Sequence, residues 1–108
     1  MIARTVDAVV VGGGSAGLAA ALRLRESGAS VAVVEREQFL GGILLQCIHS
    51  GFGLHEFGED LTGPEYAERF ISPALTAGIE LYLDATVTEI GGDASGRTVM
   101  ALARSLGG

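Results

Sequence analysis

Cysteine occurs once in the 108-residue chain and proline twice. A single thiol excludes an internal disulfide, which fits a reducing compartment, so the chain is expected in the cytoplasm. Few prolines alongside 48% hydrophobic residues exclude a disordered chain and leave one globular domain with enough apolar surface for a core. Basic residues are scarce as well: seven Lys and Arg face thirteen Asp and Glu, a formal net charge of −6. That balance argues against nucleic acid and against an anionic membrane surface, but not against a nucleotide held by backbone amides. No apolar run is long enough to span a bilayer, the N-terminus lacks a secretory pattern, and there is no internal repeat.

Glycine is what the chain has in excess, 17 residues, and three of them stand as Gly12, Gly14 and Gly17 in Val11-Gly12-Gly13-Gly14-Ser15-Ala16-Gly17-Leu18. Gly-x-Gly-x-x-Gly alone is a weak signal, and its context strengthens it. The short, valine-rich run Ala8 to Val11 reads as a strand of a parallel sheet. From Ser15 to Ser27 the chain is rich in Ala, Leu, Arg and Glu, which predicts a helix with Leu18 and Leu22 on the sheet and Gly28 as its stop. Ala29 to Val34 predicts a second strand, ending in Glu35.

Each residue of this βαβ unit has a task. Gly12 permits the tight turn, Gly14 lets backbone approach a pyrophosphate, and Gly17 lets helix lie close to strand. The phosphates are then expected along Gly12, Gly13, Gly14, Ser15, Ala16 and Gly17. There, free N–H groups and the positive end of the helix dipole favour a dianion, and Ser15 can also cap the helix. Glu35, eighteen residues past Gly17, is placed to accept from the ribose hydroxyls of an adenosine.

A second glycine pair follows in Phe39-Leu40-Gly41-Gly42-Ile43. With Gly12, Gly14, Gly17 and Glu35 it resembles the flavoproteins with two dinucleotide-binding domains, the glutathione reductase-like superfamily. The resemblance implies a Rossmann-like three-layer α/β FAD-binding fold, incomplete here: a parallel sheet with the start of an antiparallel β-meander. It implies FAD as cofactor, with Gly41 and Gly42 near it, Arg36 beside the adenine and the backbone near Val87 as the third-strand contact to the adenine ring. A narrower resemblance lies in Gly41 through His55 and in Leu61-Thr62-Gly63-Pro64-Glu65-Tyr66, which look like FAD-dependent oxidoreductases accompanying glycerol-3-phosphate dehydrogenases of the anaerobic type. It implies a partner of that type.

Disulfide reductases of the superfamily carry two cysteines beyond the Gly-Gly pair, whereas this chain has Cys47 alone, which disfavours dithiol chemistry. Cys47 reads first as a small buried residue and second as a thiol acting on flavin or substrate. His49 and His55 lack a metal-ligand spacing, so no metal is expected; they read as hydrogen-bonding loop residues, with proton donation near a flavin as the lesser alternative.

Downstream, Pro64 and Glu65 open a helix running to Ala77 and stopped by Gly78, with Tyr66, Phe70, Ile71 and Leu75 as core contacts and a kink or break near Ile71 from Pro73. Ile79 to Leu83 predicts a third parallel strand; Thr86 to Ile90 and Thr98 to Ala103 predict a hairpin across Gly91 to Arg97. The expected organisation is a βαβ nucleotide unit over 1–35, a loop over 36–63, helix and third strand over 64–84 and the hairpin over 86–104, all within one partial dinucleotide-binding domain (1–108).

The leading functional reading is the FAD-binding part of a pyridine-nucleotide-dependent flavin oxidoreductase, binding the ADP half of FAD. NAD(P)H would serve the parent protein, and the 108-residue chain by itself would be inactive. Two alternatives stand beside it: an NAD-binding dehydrogenase domain, since Glu35 suits an NAD ribose equally, and a non-enzymatic truncated nucleotide-binding module. An exposed sheet edge would further favour a homodimer.

Overall fold

The computed structural model describes residues 3–46, 51–54 and 56–103. It is an α/β structure built on a three-stranded parallel sheet in the order β1-β2-β3, with β1 at Ala8–Val11, β2 at Val31–Val34 and β3 at Glu80–Tyr82. Helix α1, Ser15–Glu26, links β1 to β2. Helix α2, Gly63–Thr76, precedes β3, and an antiparallel hairpin of β4 (Ala85–Asp93) and β5 (Gly96–Ala103) follows it. A 3-10 turn at Gly42–Gln46 lies in the long link between β2 and α2.

The core lies between the sheet and the two helices. Val31 and Val33 pack with Ala21 of α1, while Leu18 of α1, Leu40 and Ala74 of α2 form a second buried group joined by Phe70 and Ile71. All four residues of β2 are buried, as a central parallel strand requires. On β1 the side chains alternate instead, leaving Val9 and Val11 exposed.

Several boundaries and contacts differ from the sequence expectation for identifiable reasons. Strand β2 begins at Val31, two residues late, because Ser30 is engaged in a reciprocal clamp: its N–H donates to the Asp7 carboxylate at 2.8 Å and its hydroxyl accepts from Asp7 N–H at 2.8 Å. Strand β3 is likewise trimmed to Glu80–Tyr82. Helix α2 opens at Gly63, not Glu65, because Thr62 forms a capping box: its hydroxyl accepts from Glu65 N–H while the Glu65 carboxylate accepts from Thr62 N–H.

Pro73 does not break α2, which is continuous to Thr76. The proline lies on the exposed side of the final turn, so the Arg69 carbonyl it leaves without an N–H is on the solvent side, and packing of Phe70, Ile71 and Ala74 holds the helix. Leu75 points outward at 62% exposure; its core place is taken by Ala67 and Ala74. In the hairpin, Gly91 and Gly92 belong to β4, and the turn shrinks to Ala94 and Ser95. There the Asp93 carboxylate accepts from Ser95 N–H at 2.8 Å and Ser95 Oγ at 2.6 Å, an Asx turn that closes the loop early.

Candidate functional site

The site lies at the carboxyl ends of β1 and β2, where an open α/β sheet places its ligands. Gly12 leaves β1 with a φ of +105°, a conformation in which a Cβ would be strained, and its N–H donates to the Val34 carbonyl at 2.8 Å. Gly14 is the N-cap of α1 with extended backbone, and a Cβ built on it would have no heavy atom within 4 Å. Gly17 is different: a Cβ there would run into the Gly12 carbonyl oxygen. Gly12 therefore makes the turn, Gly14 keeps space open and Gly17 permits close approach.

Ser15 does not cap α1. It is the first helical residue; the N-cap is Gly14, with no side-chain acceptor and no acidic residue in the first turn. A helix start without its own acceptor suits an external anion.

Glu35 is 7% exposed, although it is a carboxylate. Gly13 N–H donates to its Oε1 at 2.7 Å and Glu37 N–H to its Oε2 at 2.8 Å. The first of these charge-assisted bonds ties the end of β2 to the glycine turn and the second holds the carboxylate against its own link, and each carboxylate oxygen retains a lone pair for a ligand hydroxyl. The adjoining link is stitched to β3 and β4: Glu35 N–H donates to Tyr82 O at 2.8 Å, Asp84 N–H to Glu37 O at 2.8 Å and Ala85 N–H to Glu35 O at 3.0 Å. Asp84, buried, takes a left-handed φ of 53°, a conformation Asp tolerates better than most residues.

These ties frame a cavity of about 240 Å³. One wall is Val11 and Gly12, the second is Val34, Glu35 and Arg36, and the third is Ala85, Thr86 and Val87 at the base of β4. Glu35, expected from its spacing, and Arg36 and Val87, expected from the family resemblance, thereby meet although 52 positions separate the first from the last. The volume is below the ~300–1,000 Å³ common for whole-ligand pockets, so it suits one end of a dinucleotide.

The second glycine pair stands beside the first turn. Gly41 and Gly42 both have positive φ, +110° and +61°; Gly41 N–H donates to Gly13 O at 2.8 Å, and a Cβ on Gly42 would lie 3.6 Å from Gly14 Cα. A second, larger cavity of about 570 Å³ is bounded by Ser15, Ile43, Phe52, Leu54, Glu56 and Tyr66, among others. Burial, then the charge and hydrogen bond of Glu56, push the Tyr66 hydroxyl above its ordinary pKa. Cys47, His49 and His55 lie outside the described residues. Among the described residues no three His, Cys, Asp or Glu side chains converge as a metal site would need, and no helix is long and apolar enough to cross a membrane.

Sequence reasoning missed Ala85, Thr86, Glu56 and Tyr66 as residues of these walls, and Asp84 and Leu40 as residues that tie or pack the adjoining turns. Only the buried acid at a left-handed position left a usable trace, as Leu83-Asp84-Ala85 between two strands.

The parallel sheet, glycine turn and terminal acid define a dinucleotide-binding α/β protein. The chain belongs to the FAD binding domain family, whose model matches residues 7–105. It is 37% identical over 73 residues to the FAD-dependent oxidoreductase pigF of Monascus ruber, covering 62% of this chain and 16% of that protein. It is 58% identical over 36 residues to the β-cyclopiazonate dehydrogenase of Aspergillus oryzae, covering 33% of this chain and 8% of the relative. Among solved structures, thioredoxin reductase of T. acidophilum superposes with a TM-score of 0.78 at 26% identity, over 92% of this chain and 31% of that one. The L-proline dehydrogenase of P. horikoshii gives 0.77 at 25% identity, over 92% and 19%. The chain thus spans about a sixth or less of the length of these two curated relatives. Their likeness bears out the Rossmann-like FAD-binding fold, with its parallel sheet and antiparallel pair, and FAD as the cofactor of the family.

Proposed function

We propose that this chain is the part of a flavin oxidoreductase that binds the ADP half of FAD. The observation that carries the reading is the cavity in which Glu35, Arg36 and Val87 meet beside the glycine turn. The residues fit the group: the opening at Gly14 leaves room for a pyrophosphate, the uncapped start of α1 complements its charge, and Glu35 has acceptor capacity for a ribose. Gly12, Gly14, Ser15, Ala16 and Gly17 hold the phosphates, Glu35 the ribose hydroxyls, Arg36 and Val87 the adenine, and Gly41 and Gly42 flank the phosphate path. Gly13 serves from behind, since its N–H and C=O are both taken within the protein.

FAD, when bound, supplies the hydride chemistry, and the chain binds and orients it. In the intact protein the electrons pass between a nicotinamide nucleotide and an acceptor, a reading supported by the likeness to thioredoxin reductases. A glycerol-3-phosphate dehydrogenase-type partner, a homodimer and a cytoplasmic setting belong to the same proposal and rest on the sequence resemblance and composition alone. Cys47 and His49 are its candidates for groups near the flavin.

Titration calorimetry of the 108-residue chain with FAD, ADP and NAD tests it. FAD binding at least as tightly as ADP, and more tightly than NAD, is the expected result; NAD binding tighter than FAD would favour an NAD-dependent dehydrogenase. Oxidation of NADH with an artificial electron acceptor by this chain alone would exclude a purely binding role.

A further inference from the structure

The middle residue of the first glycine triplet is the one that the motif leaves free, yet here it has the least room. Gly13 is buried, and a Cβ built on it would lie 2.5 Å from Leu40 Cδ2 and 3.3 Å from Glu35 Oε1. Its φ is not in the left-handed region, so backbone conformation does not demand glycine. The obstacle is a side chain. Leu40 is itself fixed, 7% exposed and packed with Leu18 and Ala74, so it has little freedom to swing aside. The two neighbours of Leu40 in this contact are polar bonds to the same residue: Glu35 Oε1 accepts from Gly13 N–H, and Gly41 N–H donates to Gly13 O.

We infer that Leu40 is a positioning residue for the anion-binding turn, roofing Gly13 from the core side so that Gly12 and Gly14 are presented in one conformation. The turn is then held at three points, by an acid, by a backbone N–H from the second glycine pair and by an apolar side chain between them. The second pair acquires a role that needs no contact with ligand: it carries the chain past Gly13 closely enough for Leu40 to close over it. The effect on binding rests on the proposed phosphate site, whereas the geometry of the roof does not.

The test is a double-mutant cycle in the 108-residue chain with Gly13→Ala, Leu40→Ala and the pair together, read by FAD titration and by amide resonances without ligand. Gly13→Ala is expected to weaken FAD binding about tenfold or more, the scale of an overpacked contact, and Leu40→Ala in the same chain to recover most of that loss. The amide proton at position 13, downfield in the parent chain because it donates to a carboxylate, moves upfield in Gly13→Ala and returns in the pair. A pair that binds no better than Gly13→Ala, with an unmoved amide, would overturn the inference. If Gly13→Ala does not fold, Leu40→Val decides: shifted Gly12 and Gly14 amides support the roof, and unchanged ones refute it. Should the parent chain bind no FAD, the proposed function fails while the amide shifts still decide the role of Leu40.

Discussion

Strand β2 buries all four of its residues, whereas the nine residues of β4 and eight of β5 contain a single buried one, Ala85. Both regions make tight turns out of glycine and acid, but by different means. The turn after β1 is closed by long-range ties, with Glu35 reaching back twenty-two positions to Gly13 N–H and Leu40 above it. The turn between β4 and β5 is closed by Asp93 and Ser95, two positions apart. A turn built from distant residues inherits the rigidity of the core and suits a ligand that must be met in one geometry. A turn built locally depends on its own ladder, and the hairpin beyond Val87 keeps Ile90, Met100 and Leu102 on the surface.

If that contrast is right, substitutions should differ steeply between the two regions. The largest loss is expected for Gly17→Ala, whose methyl group would collide with backbone at Gly12 and cannot be relieved by a rotamer change; urea denaturation should show about 3 kcal/mol or more. Glu35→Gln keeps the shape but turns one acceptor into a donor facing either Gly13 N–H or Glu37 N–H, so about 2 kcal/mol of stability should go by the same assay, with weaker FAD binding. Thr62→Ala removes one arm of the capping box of α2 and should cost about 1 kcal/mol. Leu102→Ser, at a side chain 66% exposed on the hairpin, should change stability by less than about 0.5 kcal/mol. A large effect there, or a small one at Gly17, would break the comparison.

A pH series sharpens it further. The Thr62 backbone N–H, followed by its hydroxyl, holds the Glu65 carboxyl below its ordinary value of 4.5. Its folded pKa is depressed, so its contribution is complete above 4.5 and is lost as pH falls toward the lower folded value. Glu65→Gln, which removes the titrating group, should therefore flatten the acid limb of the stability curve below pH 4.5, measured by denaturation at stepped pH, whereas Thr62→Ala, which keeps the backbone N–H, should flatten it only in part.

Much of the nucleotide half was legible in the residues. The βαβ order, Gly28 as a stop, and Glu35 at the end of β2 all follow from periodicity and glycine placement, because those signals are local. The corrections fall where a local rule met a tertiary or side-chain contact. Pro73 was tolerated because the bond it forfeits lies on the solvent side of a helix held by Phe70 and Ala74, and Leu75 lost its core place to a register that only packing reveals. The hairpin turn tightened because Asp93 serves as its acceptor. The walls of the site were the least legible. Leu40 looks like any apolar loop residue, and its closure over Gly13 depends on the distance between two turns. Val87 came from family resemblance, and the ties through Asp84 and Ala85 that bring β4 to the cavity have no sequence period.

The most direct measurement is a two-dimensional amide spectrum of the chain titrated with ADP. The account predicts saturable shifts at Gly12, Gly14, Ser15, Glu35, Arg36 and Val87, and none at the hairpin tip around Ala94 and Ser95. Shifts confined to the hairpin, or a glycine turn that stays unmoved while ADP binds, would contradict it.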